Sequence, residues 1–446
     1  MKVKYVMTTY DGEIKTEVVK EVMVWEDKKI ENELINLYPQ VEYQRLEGFG
    51  GAITESAGFV YSQMNKEQKK KLLKTYFSKE AMKYCMVRIP IDSCDFSLEH
   101  YEAMSDALDV EMKSFQLKRL EKYIFPLLED AQKEYGSKIP IMLTPWSPPS
   151  FMKTNGERNN GGRLKKEYRS AWAEYICHYV EAFQERGYLV GRLSIQNEPN
   201  AVQTWDSCVF NGSEEKEFLR DFLYPSMKEH GLSDIEIFIW DHNKERVFER
   251  ACEIIDEKTD GMIKGVAFHW YSGDHFEALR MVHEKFPDKK LILSEACIEY
   301  SKFSKNDGLK NAQKYAHDLM GNLNNGMSSF YDWNLVLDET GGPNHVGNYC
   351  EAPFLYDTIE HTLEEKNTAI YLWHFSHFIK KDAVRIGLSR YTQAIEAVAF
   401  KNLDESIVVI LLNTKKERIP LNLRLDHHCV RLSLEPESIV SVEIIK

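Results

Sequence analysis

The chain has 446 residues, 43% of them apolar, 28% charged and 12% aromatic, a composition that excludes disordered, collagenous and coiled-coil chains and fits a large folded enzyme. Its 57 Lys and Arg against 70 Asp and Glu leave a net charge of −13, so a nucleic acid or an anionic membrane surface would have to bind against the field of the whole molecule. Neither is expected as a partner.

The first twenty residues are interrupted by Lys2, Lys4, Asp11, Glu13 and Lys15 and hold no apolar segment of signal-peptide length. The longest strongly apolar run, Ile407 to Leu412, covers six residues where a membrane-spanning helix needs about 20, so no membrane insertion and a cytoplasmic location are expected. Cysteines stand at 85, 94, 177, 208, 252, 297, 350 and 429 without a C-x-x-C pair, and free buried thiols are expected rather than disulfides or a zinc site. Within residues 1–45 two stretches look strand-like, Val18–Trp25 and Gln40–Arg45.

From about residue 46 to 380 short β-rich runs alternate with amphipathic helical stretches, the pattern of βαβ units. The runs are Glu47–Ile53, Tyr84–Ile91, Ile139–Trp146, Gly191–Glu198, Glu236–Asp241, Lys264–Tyr271, Lys290–Cys297 and Gly326–Asn334, eight in all. Between them, Asn65–Lys79, Phe115–Tyr135, Lys165–Arg186 and Leu309–Asn324 read as helices, and Asn65 followed by Gln68 reads as a capping box. An open doubly wound sheet shares this alternation, but Gly48-Phe49-Gly50-Gly51 lacks the G-x-G-x-x-G of a phosphate turn, so a closed (β/α)8 barrel is preferred. After residue 380 helices stop and short alternating runs follow: Ala394–Asn402, Ser406–Asn413, Ile419–Leu425 and Ile439–Ile445. The expected organisation is a barrel over 46–382 beside a small antiparallel β-sandwich built from residues 1–45 and 383–446.

In a parallel barrel the chemistry lies where the strands end. Here those ends carry Arg88 leading to Asp92 and Asp95, Trp146, Asn197-Glu198, Trp240-Asp241, His269-Trp270-Tyr271, Glu295 and Asp332-Trp333-Asn334. Flat aromatic faces with carboxylates and amides are what a sugar site requires. Cleaving a glycosidic bond takes one carboxylic acid for the leaving oxygen and one carboxylate on the other face of the ring. Glu198 and Glu295 each interrupt an apolar run, where a buried charge is costly without a role, and they end strands on opposite sides of the barrel mouth.

Gly48-Phe49-Gly50-Gly51-Ala52, Arg88-Ile89-Pro90 with Ser93-Cys94-Asp95-Phe96-Ser97, Ser147-Pro148-Pro149 with Lys153-Thr154-Asn155-Gly156, Asn197-Glu198-Pro199, His269-Trp270-Tyr271, Ser294-Glu295-Ala296-Cys297, and Asp332-Trp333-Asn334 with Gly341-Gly342-Pro343-Asn344 occur in that order. Together they resemble glycoside hydrolase family 30, the glucosylceramidase-like retaining β-glycosidases, over residues 46 to 446. The resemblance implies Glu198 as acid/base, Glu295 as nucleophile and Asn197 as partner of the sugar 2-hydroxyl. It further implies that Arg88 and Tyr271 keep Glu295 ionised, that Asp95 and Trp146 grip the remote hydroxyls, and that Trp333 floors the subsite. His269 and Cys297 stay open between support of the site and core packing, and Trp205, Trp240, Trp270 and Asn348 are candidates for the leaving-group side. His269, His275 and Asp274 make no tetrahedral set, and no metal or cofactor is expected.

The expected activity is hydrolysis of β-glycosides with retention, and an exo-acting β-glucosidase on small soluble β-glycosides is favoured over a β-xylosidase or an endo-β-1,6-glucanase. The partner is then a β-linked oligosaccharide or glycoside. Net charge and the lack of an evident membrane-binding helix argue against glucosylceramide in a bilayer as the working substrate. A reading of another class, a catalytically silent carbohydrate-binding barrel, would keep the aromatic residues and need no carboxylate pair. Oligomeric state is not legible.

Overall fold

Eight parallel strands close into a barrel in a computed structural model that describes residues 1–109 and 111–445. In chain order, which is also their order around the barrel, they are β1 (Gly48–Ala52), β2 (Met86–Ile91), β3 (Pro140–Pro145), β4 (Leu189–Ser194), β5 (Glu236–Asn243), β6 (Gly265–His269), β7 (Lys290–Glu295) and β8 (Met327–Asp332). β2 is buried along its whole length, as a parallel strand walled by helices must be. The glycines of the first strand have a packing cause. A Cβ on Gly50 would collide with the Met86 carbonyl of β2, so β1 and β2 can approach only without a side chain there.

Helices cover the barrel. Asn65 and Gln68 exchange side-chain and backbone hydrogen bonds at 3.0 Å, the expected capping box, ahead of Lys66–Phe77. The helix expected over Phe115–Tyr135 runs only over Ile124–Tyr135. Pro126 is the reason: deeper inside a helix its ring would strike the carbonyl four residues earlier, so the helix starts just before it, after turns over residues 118–123.

The two chain ends meet in one ten-stranded sheet that curls around its own core. Its order is Ile14–Val19, Lys2–Tyr10, Ser438–Ile445, Ile407–Asn413, Glu396–Lys401, Val384–Arg390, Leu34–Arg45, Ile419–Leu425, His428–Leu434, Val24–Glu26. The strand expected over Val18–Trp25 is in fact two, on opposite edges of this sheet, separated by Lys20-Glu21-Val22-Met23. Lys2–Tyr10, Val384–Arg390 and His428–Leu434 are strands that sequence reading missed. Lys446 at the end of the expected 383–446 segment lies outside the described residues.

Ile407–Asn413 is buried on both faces. Ile407, Val409 and Leu411 fill the sandwich core, while Val408, Ile410 and Leu412 pack into the barrel's core with Val398, Phe400 and Ile439. A strand with two dry faces reads as continuous apolar sequence, which explains the run Ile407–Leu412.

Candidate active site at the barrel mouth

Arg88 on β2 lies at the centre of the site and is fully buried. Its Nη1 donates to Glu295 Oε2 at 2.7 Å, Nη2 to Asn197 Oδ1 at 2.8 Å and Asp241 Oδ2 at 3.0 Å, and Nε to Thr144 Oγ1 at 3.2 Å. One rigid fork thus joins the ends of β2, β3, β4, β5 and β7, a geometry that a lysine's point charge could not hold. The guanidinium carbon is 4.8 Å from the ring centre of Trp146 and 5.4 Å from that of Trp333. Those two rings stack on each other at 5.2 Å and 19°.

Glu295 accepts a second bond from the Tyr271 hydroxyl, 2.9 Å from Oε1, and Cys297 Sγ stands 3.3 Å behind that hydroxyl. Glu198 is held at φ +45°, in the left-handed region that glutamate rarely occupies. Three backbone bonds hold it there: Glu198 N to the Asp241 carbonyl (2.9 Å), Asn197 N to the Pro145 carbonyl (2.8 Å) and Ala201 N to the Glu198 carbonyl (2.8 Å). The register also slips between Ala267 and Phe268 against β5 and between Phe268 and His269 against β7, bulges that re-aim side chains at a barrel rim.

His269 is fully buried between carboxylates, with Nδ1 3.0 Å from Glu198 Oε1 and Nε2 3.1 Å from Asp241 Oδ1. Both ring nitrogens can donate only in the imidazolium, and although burial opposes the charge, Glu295, Asp241 and Glu198 raise the His269 pKa to about 9. Asp241 also accepts from Ser294 Oγ and is held well below the usual carboxylate range, burial notwithstanding, chiefly by Arg88 and His269. A carboxylate oxygen of Glu198, one of Glu295 and a nitrogen of His269 lie within 4.8 Å of one another.

Two cations, Arg88 and His269, face three carboxyl groups, so the site carries one proton's worth of unbalanced charge. Burial and then the Glu198 charge push Glu295 up beyond what His269 and Arg88 pull down. At Glu198, His242 and His269 outweigh burial and hold the carboxyl down. Arg88 and Tyr271 both donate to Glu295, as the resemblance implies, and the two glutamates are nonetheless pushed in opposite directions. Arg88 shares its charge with Asp241, whereas the imidazolium lies directly against Glu198.

The cavity over these groups holds about 130 Å³ and opens to solvent at the barrel mouth. Nine of the eleven expected residues line it: Asp95, Trp146, Asn197, Glu198, Tyr271, Glu295, Cys297, Trp333 and Asn348. Arg88 and His269 sit beneath. The lining falls into two arcs. The ends of β8, β2 and β3 supply Trp333, Asn348, Asp95 and Trp146, while β4 to β7 supply the glutamates with Trp205, His242, Asn243 and Lys302. Asp95 accepts from Asn348 Nδ2 at 3.2 Å, which places Asn348 with the tryptophan arc. Burial, with the Glu295 charge adding, pushes the Asp95 carboxyl well up.

Trp240 and Trp270 do not line the cavity. Trp240 packs under Arg250, 4.7 Å away, and Trp270 on Tyr315 at 4.6 Å, so both face the helical layer. The strands alternate inward and outward at their ends, and sequence position alone does not say which way a terminal tryptophan turns. Asp241 was noted at its strand end without a role, and His242, Asn243, Gln203, Glu299, Lys302 and Cys350 are lining residues that sequence reading passed over. Asp241 carried the same signal as the two glutamates, a carboxylate closing the apolar run Ile237–Trp240.

Residues 46–379 match the glycosyl hydrolase family 30 TIM-barrel domain and residues 382–442 the glycosyl hydrolase family 30 beta sandwich domain. The chain belongs to this family of glycoside hydrolases. It is 29% identical over 409 residues to lysosomal acid glucosylceramidase of Mus musculus, covering 87% of this chain and 79% of that one. The solved structure of SrfJ from Salmonella typhimurium superposes over 100% of both chains with a TM-score of 0.94 and 33% identity. The endo-beta1,6-glucanase BT3312 does so over 100% of this chain and 99% of its own, with a TM-score of 0.88 and 26% identity.

Proposed function

We propose that the protein is a retaining, exo-acting β-glucosidase of small soluble β-glycosides, with Glu295 as nucleophile and Glu198 as acid/base. The observation that carries the reading is the carboxylate pair. Oxygens within 4.8 Å of one another fit the ~5 Å separation of retaining enzymes better than the ~6.5–9.5 Å of an inverting pair. A silent sugar-binding barrel would need neither carboxylate, nor a backbone strained to aim one of them.

In the first step Glu295 attacks the anomeric carbon and Glu198 protonates the departing oxygen. His269 supplies the proton that the free site withholds from Glu198: imidazolium beside carboxylate becomes imidazole beside carboxylic acid by one transfer over 3.0 Å. Water then enters, Glu198 takes its proton, the ester to Glu295 is hydrolysed, and the proton passes from Glu198 back to His269, restoring the free site. Asn197, its oxygen occupied by Arg88, keeps its NH2 for the sugar 2-hydroxyl. Asp95 and Asn348 take the remote hydroxyls, and Trp146 and Trp333 floor the ring.

A small cavity of about 130 Å³ suits one sugar ring better than a long chain. Glucose is favoured over xylose because a glucosylceramidase and a β1,6-glucanase stand among the relatives. The glucanase's overlap with the whole chain makes endo-β-1,6-glucanase the second reading. Eight free cysteines, seven of them buried, support a reducing, cytoplasmic setting. Aryl β-glucoside, aryl β-xyloside and β-1,6-gluco-oligosaccharides decide among these. We expect glucose released from the glucoside and singly from chain ends. Faster xyloside cleavage, or mid-chain products from the oligosaccharides, would overturn the assignment.

A further inference from the structure

Three loops at the barrel mouth bring together side chains that the glycosidase chemistry does not use. His100 lies in the loop after β2, Asp206 in the loop after β4 and His345 in the loop after β8. One ligand-type atom from each lies within 4.8 Å of the other two. His100 Nδ1 is 3.0 Å from Asp206 Oδ2, and the two imidazole rings meet edge to face at 4.5 Å.

An ordinary ion pair between His100 and Asp206 accounts for only part of this. His345 donates its Nδ1–H to the Ser97 carbonyl at 3.1 Å, which fixes its tautomer and leaves Nε2 with a lone pair. That Nε2 is buried and has no hydrogen-bond partner among the described residues. Asp206 is fixed from behind in the same manner: Oδ1 accepts from Arg158 Nε at 2.6 Å and Ser93 Oγ at 2.8 Å, leaving Oδ2 for the cluster. Imidazoles and carboxylates oriented by their far atoms are how proteins hold metal ligands.

We propose that His100 Nδ1, Asp206 Oδ2 and His345 Nε2 bind a divalent transition metal, zinc being the best fit, which pins the loops after β2, β4 and β8 to one another. Two imidazoles and a carboxylate suit zinc, with water in the fourth place. The 3.0 Å between His100 Nδ1 and Asp206 Oδ2 is close to the ~3.3 Å edge of a tetrahedron with bonds of ~2.0 Å. Arg158 is not a net positive neighbour, since Asp92 at 3.5 Å and Glu102 at 3.4 Å share its charge. The His100 side chain is 38% exposed and gives the ion a way in. The ion would bind on Asp206, next to Trp205 of the cavity lining, and on His345, next to Asn344, whose Nδ2 lies 3.5 Å from Asp95. It would act as a clamp on the wall of the mouth, not as a participant in the reaction.

The test is Co2+ titrated into the full-length, tag-free protein, followed by the visible bands of a tetrahedral site, with Zn2+ then added as competitor. We expect one equivalent of Co2+ with those bands, displaced by Zn2+, and affinity lower by about 100-fold or more in His100→Ala and in His345→Ala. Zn2+ should raise the melting temperature of the unaltered protein and leave that of both variants unmoved. The proposal is overturned if neither ion binds, or if both variants bind as the unaltered protein does. It is equally overturned if Glu295→Gln alone abolishes binding, which would put the ion on Glu198, His269 and Glu295 in the cleft.

Discussion

Tyr271→Phe isolates one hydrogen bond to the proposed nucleophile. The ring and its packing remain, and only the hydroxyl 2.9 Å from Glu295 Oε1 is lost. A hydrogen bond to a charged group contributes about 1.5–3 kcal/mol, so at ~1.4 kcal/mol per tenfold, kcat/KM on an aryl β-glucoside should fall roughly 10- to 100-fold. The same change has a second, signed consequence. A donor favours the carboxylate, so removing it favours the carboxylic acid, and Glu295, already pushed up by burial and by Glu198, rises further. At ~1.4 kcal/mol per pKa unit the acidic limb of the kcat/KM profile should move up by about one to two units. The measurement is kcat/KM against pH for both proteins on one activated substrate. A fall in rate with an unmoved acidic limb would mean that Tyr271 acts through packing, and an unchanged rate would remove it from the site.

Glu295→Ala should show no turnover of any glycoside, and added azide should restore a product of inverted configuration, as proton NMR of the first-formed anomer can establish. Glu198→Gln should slow glycosides with poor leaving groups far more than activated aryl glycosides, because only the former need a proton on departure; equal losses would remove the acid role. His269 adds a pH dependence of stability. Its folded-state pKa of about 9 stands above the ordinary 6.5, so its contribution is complete below about pH 6.5 and is lost as pH rises through about 9. The unaltered protein should therefore lose more melting temperature between those pH values than His269→Gln does, and identical slopes would refute an imidazolium between Glu198 and Asp241.

The alternation of β-rich runs and amphipathic helices was legible because a parallel strand walled by helices must be apolar throughout, and all eight barrel strands lie within or overlap the runs read from sequence. The glutamates were legible by the same physics, since a carboxylate closing such a run stands out against its cost of burial. What stayed hidden depends on backbone detail that side-chain type does not encode. Trp240 has φ +72° and turns to the helices, whereas Trp146 turns into the cavity, though both end apolar runs. Lys2–Tyr10 went unread as a strand because its charged and apolar residues alternate irregularly: the lysines point to solvent while Val3, Val6 and Met7 supply both cores. The meeting of His100, Asp206 and His345 has no spacing to find, as it joins three loops more than 100 residues apart in the chain.

The sandwich is expected to act as a clamp that completes the barrel's core, and deleting residues 383–446 tests this. Residues before 46 and after 380 tie the barrel's first and last units through Gln44, which donates to the Leu323 and Met327 carbonyls at 2.6 and 3.0 Å and accepts from Arg385 at 3.0 Å. Thr8 and Ser441 bond opposite nitrogens of His374 on the last barrel helix, at 2.8 and 2.7 Å. Between these bonds the contact is apolar: Val398, Phe400, Val408, Ile410, Leu412 and Ile439 all belong to the barrel's own core. Each such side chain stabilises the fold by about 1.5–3 kcal/mol when taken out of water, so removing all six forfeits on the order of 10 kcal/mol, comparable with the roughly 5–15 kcal/mol that holds a whole domain folded. The truncated chain should accumulate as insoluble protein without activity on an aryl β-glucoside. An autonomous sugar-binding module would bury its apolar residues within itself and leave the barrel's surface polar. Deleting it would then yield a soluble barrel with full activity on the small substrate, and that result would refute the clamp.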